Sequence, residues 1–256
     1  GIKGDRPSHP ELLDWLARDF MDEGWTLKRL HRMIVSSTAY RQSSVHRQEL
    51  DAADGDNRLL GRMNVRRLEA ETMRDAVLAV SGTLVDEPFG PPVPVSPDDV
   101  GQIVLAVDTR DSAGRPTGKV EPLGDNEFRR SIYVQVRRSM PLGVLEPFDI
   151  PQMTPNCEKR AVSTAAPQSL LMMNNPFVIQ QAGLLASRVR EKAGEDSAAQ
   201  AVLAWRLVFG RTPTESDLQS GVEFLSLPDA TPEEQLAALS HFCQALLSSN
   251  RFLYVD

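Results

Sequence analysis

The chain is poor in the residues that most often carry chemistry. Its 256 residues include two cysteines, four histidines, three tryptophans and three tyrosines. Cys157 and Cys243 cannot supply a four-cysteine zinc site, and no Cys-x-x-Cys pair exists for metal or redox work. The Cys-x-x-Cys-His pattern that attaches a c-type haem is missing too. Two buried free thiols are the simplest reading, because unpaired cysteine is among the most buried residue types. A long-range disulfide is the alternative, and it requires export to an oxidising compartment. His9, His31, His46 and His241 form no pair at a spacing that would put two ligands on one helix face. Neither a metal site nor a cofactor is therefore expected.

Other absences narrow the class further. No stretch approaches the roughly 18 uninterrupted apolar residues of a membrane helix, so no membrane insertion is expected. The first residues show no basic segment leading into an apolar one. Lys and Arg number 28 against 35 Asp and Glu, a net charge of −7 that argues against a nucleic-acid partner. There is no Gly-x-Ser-x-Gly elbow, no glycine-rich phosphate loop and no Ser-x-x-Lys. What remains is an ordinary globular balance, 41% hydrophobic and 25% charged.

Helix signals dominate both ends. Ser8-His9-Pro10-Glu11 reads as a capping box before the apolar positions Leu12, Leu13, Trp15, Leu16 and Phe20. Gly24 ends that helix, and Thr26 caps a second one with Leu27, Leu30 and Ile34 on its stripe. Gln42 to Asp56 reads as a surface loop, and a third helical region runs from about Asn57 to Gly82. Five prolines between Pro88 and Pro97 impose an extended or turning connection. Two strand candidates follow, Ile103 to Val107 and the alternating Arg130 to Arg138, with Ile132, Val134 and Val136 on one face. Helices return with Pro167 near one start, then at about Phe177, Ala198, Thr214 and Thr231. The expected fold is mainly α, helical over 8–82 and 165–250, with a small antiparallel β element within 83–150.

A local reversal of charge stands out. Arg129, Arg130, Arg137, Arg138, Lys159 and Arg160 face only Glu146, Asp149 and Glu158. Either this is a solvated strand edge, where charge discourages aggregation, or it is an anion-binding surface, because guanidinium forks suit carboxylate, sulfate and phosphate. Tyr133, Gln135 and Arg137 would share its polar face. In the segment Cys157–Gln168, Ser163 or Thr164 suits the cap of the helix that Pro167 opens, and a helix start beside Arg160 also suits an anion. Gln168 would need a buried partner if it faces inward. The candidate anion-binding set is thus Arg130, Tyr133, Arg137, Arg138, Arg160 and Gln168. The charges of Arg66, Arg67, Glu69, Glu71, Arg74 and Asp75 read as a solvated helix face, with an inter-domain contact as the minority reading.

The order of short motifs along the chain carries a resemblance. Pro7-Ser8-His9-Pro10-Glu11-Leu12-Leu13-Asp14-Trp15-Leu16, Trp25-Thr26-Leu27-Lys28-Arg29-Leu30-His31 and Thr38-Ala39-Tyr40-Arg41-Gln42-Ser43 come first. Arg66 to Glu71, Val80-Ser81-Gly82, Arg130 to Tyr133 and Phe148 to Pro151 follow. Then come Cys157 to Gln168, Asn174 to Phe177, Phe209 to Pro213 and the ending Asn250 to Asp256. Together these span nearly the whole chain and resemble the planctomycete-specific domain one family, a C-terminal domain of unknown function. The resemblance implies one compact family domain over residues 1–256, truncated at its N-terminus and belonging to a large exported protein of the cell envelope. Its implied partners are upstream domains of the same polypeptide, often including a cytochrome-c-like one that would hold any haem. It supplies no catalytic residues.

The expectation is therefore an accessory or binding module that holds an anionic partner, such as an acidic polysaccharide. Two alternatives stay open: a polysaccharide hydrolase or lyase with a carboxylate and Tyr133 site, and a purely structural inter-domain module. A cleft joining Tyr133, Arg137, Asp149 and Gln168 would favour the enzyme.

Overall fold

A computed structural model describes residues 6–151, 160, 163 and 166–255. Its fold is mainly α with small antiparallel sheets. Contacts divide the chain into two units, residues 1–66 with 256, and residues 67–255.

The first unit carries α1 (Pro10–Asp22), α2 (Leu27–Ser36) and the short α3 (Gln48–Ala53). Gly24 and Trp25 both take positive φ between α1 and α2, which reverses the chain within a few residues. Asp19 and Arg29 then pair across the two helices through a bidentate contact. Two expectations are corrected here. Ser8 does not cap α1; its hydroxyl bonds the neighbouring His9 ring, and His9 holds the cap position without a side-chain bond. The span Gln42–Asp56 is not all loop, because α3 lies inside it.

In the second unit the helix expected from Asn57 begins only at α4 (Ala70–Ser81). Asn57 and Leu60 adopt positive φ, and Asp54 accepts the Arg58 and Leu59 N–H groups, which commits that stretch to turns. Gly82 closes α4 in the left-handed conformation that needs no Cβ. After the middle third come α5 (Ala166–Asn174), α6 (Pro176–Ala193), α7 (Ser197–Phe209), α8 (Glu215–Leu225), α9 (Pro232–Leu247) and α10 (Asn250–Leu253). Their caps are the expected polar side chains. Thr214 accepts from Asp217, and Thr231 with Glu234 forms a reciprocal capping box. Helix α6 packs against α4, α7 and α9, and its Val178, Gln181, Leu185 and Val189 are fully buried. Val178, Leu185 and Val189 join Met73, Val77, Met172, Leu239 and Leu247 in one continuous core.

The middle third departs most from expectation. Ile103–Leu105 is a strand, but its antiparallel partner is Val95–Pro97, at the end of the proline-rich connection. Val107–Arg110 pairs with Pro116–Glu121 around the turn at Asp111–Gly114. Arg130–Arg138 is not a strand. Ser131–Tyr133 is a 3₁₀ turn, and the Tyr133 and Val134 N–H groups bond the Arg130 and Ser131 carbonyls. Those local bonds use the donors a ladder would need. One bridge remains, between Val93 and Val134. Val134 is buried, whereas Ile132 is 74% and Val136 70% exposed, so the expected common face does not form.

Candidate anion-binding pocket

The site grows from the first turns of α4. Burial forces Arg74 to find partners, and its guanidinium donates to the Glu127 and Arg129 carbonyls and to the Ser131 hydroxyl. Burial also lowers its pKa to about 10, with Asp75 and Glu127 opposing the drop, so it stays charged at neutral pH. Next to it Asp75 accepts the Ser131 N–H at 2.7 Å and approaches Arg130 Nε at 3.4 Å. These contacts set the 129–133 turn on α4.

Arg129 performs the same service one layer out. Its buried guanidinium donates to the carbonyls of Glu87, Phe89 and Pro91 and stacks over the Tyr133 ring at 4.3 Å. The Tyr133 hydroxyl accepts the Phe89 N–H. Arg129, the first residue of the basic island, is therefore an internal clamp.

Arg160 is paired as well. It forms a fork on Glu71, at 2.6 and 3.2 Å, and lies 3.3 Å from Glu69. Burial is the largest single influence on Glu71 and raises its pKa, but the Arg160 hydrogen bond, the residue's own backbone N–H and the Arg160 charge together outweigh it and hold the carboxyl below its ordinary value. Gln168 is buried, as its polarity required, and donates to the Pro147 and Ser163 carbonyls. Ser163 bonds Asp149 through both N–H and hydroxyl. Thr164, Cys157, Glu158 and Lys159 lie outside the described residues. Cys243 is a buried free thiol.

Arg137 and Arg138 stand differently. Both are exposed, and among the described residues neither has a carboxylate partner. Arg137 Nε touches only Gln135 Oε1, at 3.1 Å, and an Nη lies 3.9 Å from Met140 Sδ. The two arginines and Gln135 border a cavity of about 390 Å³ with Val134, Leu142, Leu145 and Ile150 as apolar wall and Glu71 at the side. A guest there would meet two guanidinium groups, one carboxylate and a stretch of hydrocarbon. The structure thus brings Arg137 and Arg138 together and sets Arg160 behind Glu71. Arg130, Tyr133 and Gln168 do not line this cavity.

The motif order and this fold can be set against known proteins. The chain belongs to PSD1, a protein family of unknown function (DUF1553) whose model matches residues 1–225. No curated protein and no solved structure matches it. Membership in PSD1 brings no reaction and no site residues.

In this PSD1 chain the cavity that Arg137 borders is lined by none of Tyr133, Asp149 and Gln168. Asp149 instead takes Arg67 at 2.5 Å and both Ser163 donors. Burial raises its pKa, but those bonds outweigh it and keep the carboxyl low. No group of three or more metal-ligating side chains occurs among the described residues, and no described helix is long and apolar enough to cross a membrane. Sequence reasoning missed Glu71, Arg67 and Arg74 as site-building residues. The available signal was their concentration at one helix start, where a charge-dense first turn needs partners from elsewhere.

Proposed function

We propose that this PSD1 chain is a non-catalytic accessory module that holds an anionic partner, an acidic polysaccharide, at the Arg137–Arg138 pocket. The observation that carries the reading is a contrast within one basic run. Arg129 is buried in carbonyls, Arg130 leans on Asp75 and Arg160 is forked on Glu71, while Arg137 and Arg138 are exposed and have no carboxylate partner among the described residues. Guanidinium groups next to an apolar wall suit a sugar acid or sulfate, whose charge meets the fork and whose C–H face meets Val134 and Leu142. Binding is favoured over hydrolysis because Asp149 is tied to Arg67 and Ser163, and Glu71 to Arg160, which leaves neither poised for proton transfer. In keeping with the family resemblance, the module would work outside the cytoplasm, beside other domains of one longer polypeptide.

Calorimetric titration with a sulfated polysaccharide and with polygalacturonate tests the reading. Saturable binding that weakens about tenfold or more in Arg137→Ala/Arg138→Ala supports it. No binding to either polymer, or binding indifferent to both arginines, overturns it.

A further inference from the structure

A second cavity shares Leu142 with the arginine pocket as a lining residue. Its volume is about 460 Å³, and the Arg74 that anchors the 129–133 turn is among its lining residues. The chemistry of its lining differs from that of the arginine pocket. Asp98 and Glu127 supply carboxylates, Gln102, Asn175 and Gln180 supply amides, and Phe128 and Phe177 supply rings.

Several of these polar groups keep unused hydrogen-bonding capacity. Asp98 Oδ1 accepts from the Val100 and Gln102 N–H groups, which leaves Oδ2. Glu127 Oε1 accepts the Leu123 N–H, which leaves Oε2. Asn175 Oδ1 caps α6 through the Phe177 N–H, which leaves its NH₂. The Gln102 and Gln180 side chains have no partner among the described residues. The guanidinium donates to the Glu127 and Arg129 carbonyls and Ser131, so Arg74 positions the wall.

We infer that this cavity is a binding site for a neutral polyhydroxylated ligand, a single sugar ring or a disaccharide. Hydroxyl groups both donate and accept, and they match a lining that holds unused amide donors together with unused carboxylate and amide acceptors. The charged lining groups are one cation and two anions, which disfavours an acidic guest. Phe128 and Phe177 add aromatic carbon to the lining for ring C–H groups, with the Arg74 guanidinium lying over the Phe177 ring at 5.6 Å. This site does not depend on the arginine pocket being a binding site.

Saturation-transfer NMR with glucose, galactose, mannose, xylose and cellobiose tests it, with calorimetry to measure affinity. The expected result is roughly millimolar binding of at least one neutral sugar. Gln102→Ala and Gln180→Ala, both at exposed positions, should each weaken it several-fold and together about tenfold, with thermal unfolding unchanged. Arg137→Ala/Arg138→Ala should leave it intact. No binding of any of the five sugars overturns the inference. So does binding that ignores both glutamines or requires the two arginines. Binding of glucosamine without glucose also overturns it, because the carboxylates would then be selecting a cation.

Discussion

The Arg74 guanidinium donates to the main-chain carbonyl of Arg129 at 3.0 Å, so the backbone of one buried arginine is held by the side chain of another. Arg129 in turn gathers the 87–91 carbonyls. A planar fork with several donors can serve divergent carbonyls at once, which a lysine ammonium on a flexible stem does poorly.

Replacing Arg74 should therefore be costly. Arg74→Met leaves the Glu127 and Arg129 carbonyls without their donor, and a loss of ~3 kcal/mol is expected. Arg74→Lys should recover only part of it. Urea unfolding followed by circular dichroism measures both, and a Lys variant as stable as the parent would contradict the fork argument.

Acid should loosen the Glu71–Arg160 and Asp149–Arg67 pairs. Each carboxyl has a lower pKa folded than unfolded, so the unfolded chain binds more protons as pH falls. Their contribution is complete above the ordinary carboxylate values, 4.5 for Glu71 and 3.8 for Asp149, and is lost as pH drops from there through each folded value. Arg160→Ala should flatten part of this acid limb. Because Glu71 is partly solvated, its share is under about 1 kcal/mol. Unfolding midpoints between pH 3 and pH 6, on the order of the carboxylate range, give the measurement.

Binding at the arginine pocket should be salt-sensitive. Exposed guanidiniums are screened beyond ~10 Å at 0.1 M salt, so affinity for polygalacturonate should fall as NaCl rises. Arg137→Ala/Arg138→Ala should show a shallower dependence. The slope of log affinity against log salt, compared between the two proteins, is the readout.

Cys243 should be unreactive while the fold is intact. Burial pushes its thiol up to about 12, so little thiolate exists at neutral pH. In a Cys157→Ser background, a thiol reagent should react only after denaturant is added. Rapid native labelling would show that the α9 core opens easily.

Much of the helical framework is legible in the residue order. Gly82 and Gly210 stop helices in the left-handed conformation, and Thr214 and Thr231 start them, because each acts on backbone within four residues. Arg130–Arg138 reads as a strand in the sequence because alternation alone does not reveal that Asp75 and Arg74 capture the turn from α4. The basic island was legible only as a charge count. What separates Arg129 from Arg137 is the presence of carbonyls some 40 residues away in sequence, which no local pattern encodes. The second cavity gave no signal, since its polar groups come from four separate stretches.

The middle third satisfies many of its carbonyls with guanidinium groups where a sheet would use its own N–H groups. A ladder can fray one rung at a time, but a fork that holds several carbonyls releases them together. The stretches 87–91 and 127–133 should accordingly open as one unit, with amide protons in both exchanging at a common rate.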